Sequence, residues 1–245
     1  ITGRMSHKSP NMAQVPNLGS KYGSECRSCW TVPKGYKLVG IDASGLELRM
    51  LAHYMDDKEY TNEILNGDIH TANQKLAGLE SRNQAKTFIY ALLYGAGDEK
   101  LGSVAGGGKR TGEKLRKSFF DNLPSFATLR NKVARTATER SYLKGLDGRK
   151  IPIRSEHSAL NTLLQGAGAI VMKQAVVLLN DKIKDLDAHF VANVHDEWQI
   201  EVREDLADTV GKLGVEAIIE AGKVLKLKCP LDGEYKVGDN WSETH

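Results

Sequence analysis

Cysteine is scarce in this chain: three residues in 245, which cannot all pair with one another. That argues against a disulfide-stapled secreted scaffold and points to a reducing, cytoplasmic setting. Cys26-Arg27-Ser28-Cys29 is a lone C-x-x-C. Cys229 alone does not complete a zinc site, and no thioredoxin-like βαβ pattern surrounds the pair. No apolar run approaches the roughly 18 residues of a membrane span, so no membrane partner is expected, and no N-terminal segment has a signal-peptide layout. A dominant charge sign is lacking as well, since 34 Lys and Arg against 31 Asp and Glu leave +3. That total tolerates a nucleic-acid partner without arguing for one, because a local basic groove would not show in it. An initiator Met is also missing. Ile1-Thr2-Gly3-Arg4 opens the chain, as expected of a processed product, a fragment or one half of a split protein. What is present is 40 % hydrophobic residues, enough for a core in one large domain or two modest ones.

Residues 1–36 are polar and turn-rich, with Pro10, Pro16 and Pro33, and are expected to be extended or irregular. Lys37 to Asp42 reads as a buried strand, and Leu46 begins a helix. From Thr61 to about Arg140 the pattern is helical, broken at Asn66-Gly67-Asp68 and at Gly102 to Gly112, with Pro124 opening its last helix. Asp147-Gly148 marks a hairpin within Ser141 to Arg154. A long helix follows from Ser155 to about Lys184. A second hairpin flanks His195-Asp196-Glu197. A helix then runs from Glu204 to about Ala221, and Leu225 to Leu231 adds a short strand. Strands bracketing a helical block predict an α+β body with a helical insertion.

Two carboxylate motifs lie about 150 residues apart: Val39-Gly40-Ile41-Asp42-Ala43-Ser44-Gly45-Leu46-Glu47-Leu48-Arg49 and Val194-His195-Asp196-Glu197. Asp42 ends one predicted strand and Asp196 sits in the turn between two others. If neighbouring strand ends bring them together, they repel unless a cation lies between them. Mg²⁺ suits such a site, and two ions about 4 Å apart serve phosphoryl transfer. The plainer alternative is that each Asp is a turn or cap residue. Arg82, Lys86, Tyr90 and Tyr94 recur every four residues and share one helix face over about 18 Å. That face suits a nucleoside triphosphate, with phosphates at the Arg end, or else it is a solvated basic face with two half-packed tyrosines. His70 precedes it as a phosphate-binding candidate, or else Asp68 and His70 have a capping or surface role. His157, Asn161 and Gln165 form a second stripe, suited to minor-groove acceptors or simply the polar side of an amphipathic helix. Gly102 to Lys109 lacks the spacing of a phosphate loop and reads as a flexible loop.

In this order the motifs resemble the polymerase domain of family A DNA polymerases, most closely the T7-like phage replicative enzymes. Residues 42–49 look like motif A, Arg82 through Gly95 like motif B, and residues 194–197 like motif C. Thr2-Gly3-Arg4, Pro10 to Pro16, residues 145–149 and residues 159–165 match as well. The resemblance implies a right-hand polymerase palm at 1–60 and 141–245, with an antiparallel sheet and helices, and helical fingers at 61–140. The family's thumb and exonuclease would lie N-terminal to Thr2, outside this chain. It also implies that Asp42 and Asp196 ligate two Mg²⁺ ions with help from the Ala43 carbonyl, and that Glu197 lies near the metals and primer end. Arg82, Lys86 and His70 would hold the triphosphate, with Lys86 as proton donor to pyrophosphate. Glu47 and Tyr90 would crowd the sugar 2′ position, and Tyr94 would stack near the templating base. Arg4, Asn11, Gln14, His157, Asn161, Gln165 and His195 would touch DNA. Implied partners are primer–template DNA, dNTPs, an N-terminal thumb-bearing portion and a processivity factor. The compartment would be the host cytoplasm of a phage. The fingers-to-palm connection near 131–144 looks shorter than in T7-like relatives. Two rivals remain: a single-subunit RNA polymerase relative, against which the motif A string and Glu47 argue, and a non-catalytic DNA-binding or assembly subunit.

Overall fold

A computed structural model describes residues 1–245. Its elements run α1 (Gly23–Ser28), β1 (Tyr36–Ala43), α2 (Leu46–Met55), α3 (Lys58–Asn66), α4 (Ile69–Ala77), α5 (Arg82–Leu93), α6 (Asp98–Ser103), α7 (Lys109–Asn122) and α8 (Pro124–Arg140). They continue with β2 (Tyr142–Lys144), β3 (Lys150–Pro152), α9 (Ala159–Ile183), β4 (Ala188–Val194), β5 (Glu197–Arg203), α10 (Ala207–Val224) and β6 (Gly233–Gly238). The expected α+β class holds. The chain divides into two compact units, one of residues 1–2 and 47–167, the other of 3–46 and 168–245.

The larger helical unit starts its helices on side chains that accept otherwise unpaired N–H groups. Asp57 caps α3, Asp68 caps α4, and Ser81 with Gln84 forms a capping box at α5. Pro124, which has no N–H to lose, occupies the first turn of α8. Phe88, Phe119 and Phe126 make an edge-to-face cluster at its core, with ring centroids 5.8 and 5.3 Å apart. Residues 104–108 form a loop between α6 and α7, as expected for the middle of Gly102 to Lys109, but Gly102 and Gly112 on either side of it are close-packing positions. A Cβ at Gly102 would lie 2.0 Å from the Gly108 carbonyl, and one at Gly112 would lie 1.8 Å from that of Asp98. They let α6 and α7 pack backbone to backbone.

The other unit holds a four-stranded antiparallel sheet in the order β4-β5-β1-β6. Val39, Ile41, Trp198 and Ile200 are fully buried on one face, and Gly214 of α10 is small enough to admit the Ile41 side chain. The opposite face of β1 presents Leu38, Gly40 and Asp42, because side chains alternate along a strand. Three local expectations fail. Residues 1–36 contain the short helix α1; Cys26 on it and Cys29 just after it are both free thiols. Leu225 to Leu231 is not a strand. The end of α10 closes through Leu227 N–H to the Gly222 carbonyl, and Lys226 has φ +54°, which strand pairing does not allow, so the strand forms later, at Gly233. Finally, Glu156–Ile183 is long and apolar enough by length and composition to cross a membrane, although no such run was expected. More than half of its most apolar window is buried inside the protein, as in a core helix.

Candidate active site

In the sheet unit, strand pairing brings the two motif carboxylates together. β1 and β5 run antiparallel with Asp42 opposite Glu197, and the Ala43 N–H donates to the Asp196 carbonyl at 3.0 Å. Asp196 sits in the β4–β5 turn, which His195 makes possible by adopting φ +61°. Burial, then the neighbouring charges of Asp196, Glu197 and Glu234, push the Asp42 carboxyl up to about 7. Burial also raises Asp196, against the Arg4 guanidinium, which pulls it down. Asp42 thus sits buried among other carboxylates, where a bound cation would relieve the repulsion.

As a donor set, Asp42, Asp196 and the Ala43 carbonyl would suit a hard divalent ion. All three donors are oxygen, with no thiolate or imidazole. No cluster of three or more ligating His, Cys, Asp or Glu side chains forms. Mg²⁺ asks for no such cluster, since one or two carboxylates plus water and phosphate suffice.

Glu197 is the exception in this group. It is 4 % exposed, and its Oε1 accepts from Gln199 Nε2 at 2.5 Å and from Trp241 Nε1 at 2.7 Å, while Oε2 meets His245 Nδ1. Burial alone would raise its carboxyl. The hydrogen bonds from His245, Gln199 and Trp241 outweigh that and hold it below its ordinary value. The reading of the sequence missed Gln199, Trp241, Thr244 and His245. The available signal was Gln199 two residues after Glu197 on one strand, hence on the same face.

In the helical unit, α5 presents Arg82 and Lys86 to solvent and half-buries Tyr90. Arg82 Nε donates to Asp68 Oδ2 at 2.6 Å, and Asp68 also caps α4 through the N–H groups of His70 and Thr71. The Arg82 contact holds the Asp68 carboxyl well below the usual range. His70 is lowered by burial and then by the nearby charges of Arg82 and Lys86, so its ring lies close to both cations and favours the neutral form. The Tyr90 ring lies 6.4 Å from both His70 and Tyr94, and the Tyr94 hydroxyl donates to Glu47 at 3.1 Å. His157 lies in a 3-10 turn rather than on α9, which carries Asn161 and Gln165. The His157 carbonyl abuts Gly95, where a Cβ would come within 2.5 Å. In the sheet unit, Asn11 precedes and Gln14 ends a short 3-10 turn, both exposed.

A family model described as DNA polymerase family A matches residues 1–243. The chain belongs to that family. Among family A polymerases, it is 44 % identical over 279 aligned positions to the DNA-directed DNA polymerases of Enterobacteria phage T3 and Escherichia phage T7. Each alignment covers 100 % of this chain and 40 % of the relative, so the chain spans about two fifths of their length. Thermostable DNA polymerase I of Thermus aquaticus is 28 % identical over 98 % of the chain. A solved structure, the POL domain of Pol1 from M. smegmatis in complex with DNA primer-template and dNTP, superposes with a TM-score of 0.90 at 25 % identity. It covers 99 % of this chain and 46 % of that one.

Proposed function

We propose that this chain is the palm-and-fingers portion of a template-directed DNA polymerase of phage replication, acting in the host cytoplasm. The palm would comprise 1–60 and 141–245 and the fingers 61–140. The observation that carries this reading is the pairing of β1 with the β4–β5 turn, which sets two mutually repelling carboxylates side by side in a family A chain. In the reaction, the primer 3′-oxygen bonds to the α-phosphorus of a dNTP, the bridging P–O bond breaks, and pyrophosphate leaves.

Asp42 and Asp196 would hold two Mg²⁺ ions. When bound, these activate the attacking hydroxyl and neutralise charge on the leaving phosphate. Arg82, Lys86 and His70 would grip the triphosphate. The Asp68 contact uses Nε of Arg82, which orients the guanidinium so that its terminal nitrogens can bond phosphate in a fork. Lys86 would protonate the departing pyrophosphate. Glu47 and Tyr90 would exclude a 2′-hydroxyl, and Tyr94 would lie near the templating base. Arg4, Asn11, Gln14, His157, Asn161, Gln165 and His195 would contact primer–template. An N-terminal portion bearing the thumb, in the same or a separate chain, would complete the grip on DNA.

Primer extension with Mg²⁺ and dNTPs tests the reading, with that N-terminal portion supplied if the chain alone is silent. Asp196→Asn is expected to lower the rate by about 10³-fold, the scale of removing one preorganised electrostatic group. Extension that survives the substitution would reject Asp196 as a metal ligand.

A further inference from the structure

The last residues of the chain form a strap across the Asp42 face of the sheet. The path is open only because residue 40 is glycine. A Cβ there would lie 2.0 Å from the Thr244 carbonyl oxygen and 2.7 Å from Gln199 Nε2. The strap is anchored at both ends. Asn240 bridges to Thr31, the Trp241 N–H donates to the Trp30 carbonyl at 3.0 Å, and Lys236 Nζ donates to the His245 carbonyl oxygen at 2.9 Å. The guanidinium of Arg27, itself buried and tied to the Pro16 carbonyl at 2.9 Å, stacks 4.3 Å from the Trp241 ring.

All of this converges on one carboxylate. Trp241 Nε1 and Gln199 Nε2 both donate to Oε1 of Glu197, and His245 Nδ1 meets Oε2. Thr244 Oγ1 donates to Gln199 Oε1 at 2.7 Å, which fixes the amide so that its NH₂ group faces Glu197. Glu197 follows Asp196 in sequence and pairs with Asp42 in register. By charge and position it is the carboxylate most able to compete for a cation bound there. A carboxylate already accepting three bonds has little left to offer a metal.

We infer that the C-terminal strap, through Trp241, Gln199 and Thr244, holds Glu197 out of the shell of a metal bound by Asp42 and Asp196. This rests on the metal-binding reading of those two residues. Trp241 and Thr244 are thus positioning residues, not catalytic ones.

The test titrates Mn²⁺ into the intact 245-residue chain, reading free ion by electron paramagnetic resonance, with circular dichroism to confirm folding. Trp241→Phe keeps the ring but removes the N–H. It should free Glu197 to join the ion and tighten Mn²⁺ binding by about fivefold, as added ligand charge does. Thr244→Val, which only unlocks Gln199, should shift binding the same way by less, and it decides the matter if Trp241→Phe fails to fold. Adding Glu197→Gln to either variant should abolish the gain. Folded Trp241→Phe and Thr244→Val proteins that bind Mn²⁺ as the unchanged chain does, or a gain that persists with Gln at 197, would overturn the inference alone. Asp42→Asn separates the two levels. If it leaves Mn²⁺ binding intact, or if the unchanged chain binds none, the metal reading itself falls and the strap's role with it.

Discussion

At the scale of single residues, the site is a set of side chains already committed to one another. Tyr94 is half exposed, yet its hydroxyl is spent on Glu47. Under the proposed function, this pair fixes the Glu47 carboxylate where a 2′-hydroxyl would otherwise go. Glu47→Ala is therefore expected to raise ribonucleotide relative to deoxyribonucleotide incorporation by about 10- to 200-fold, the range for one lost pocket contact. Single-nucleotide kcat/KM ratios measure it, and an unchanged ratio would remove Glu47 from sugar selection. Asp42, Asp196, Arg82 and Lys86 could be singled out in the sequence as candidates because motif and spacing are local. Their partners could not. Asp68 reads as a cap, and it is one, but its ion pair with Arg82 joins the starts of two different helices. The Glu197 network was hidden because Trp241 lies 44 positions from the residue it bonds.

At the scale of elements, period and punctuation found the helices, but the start of α3 lies at Lys58, ahead of the Thr61 read from the pattern, because Asp57 caps it. Asp57 shows what a cap adds beyond its helix. Its Oδ1 accepts from the Tyr60 N–H at 3.0 Å, and its Oδ2 accepts from Ser125 Oγ at 2.7 Å, tying the start of α3 to the start of α8. Asp57→Ala should cost about 2 kcal/mol, the sum of a lost cap and a lost charge-assisted bond, as measured by urea unfolding. Burial pushes the Asp57 carboxyl up, but the bonds from Ser125, Tyr60 and Glu59 outweigh it and leave it lowered. Its contribution is therefore full above the unfolded carboxylate value of about 3.9 and is lost as pH falls through the lower folded value. The stability advantage over Asp57→Asn should shrink below about pH 4; a gap that is flat with pH would reject the assignment. The elements misread from sequence are those whose pattern is overruled by tertiary packing. Gly102 and Gly112 look like slack but are close-packing positions, whereas Gly106 and Gly108 meet nothing within 4 Å. Leu225 to Leu231 has strand composition, but the backbone there is used to end α10.

At the scale of the whole molecule, this chain aligns end to end with enzymes of which it spans two fifths. A charge of +3 spread over 245 residues gives little general attraction for a polyanion. Affinity for duplex DNA comes mostly from phosphate neutralisation, each contact adding about 0.9 to the slope of log K against log salt. The candidate DNA contacts are mainly amides and imidazoles, with Arg4 near enough to Asp196 that its charge lowers that carboxyl. The chain by itself should therefore bind primer–template in the non-specific range, about 10⁻⁴ to 10⁻⁶ M at physiological salt, with a shallow slope. Adding a polypeptide that covers the remaining length of the relatives should steepen that slope and tighten binding together, because both arise from the same phosphate contacts. Fluorescence anisotropy over a salt series measures both quantities. Nanomolar binding by this chain alone would show that these 245 residues carry the grip on DNA, and the proposed need for a thumb-bearing portion would have to be abandoned.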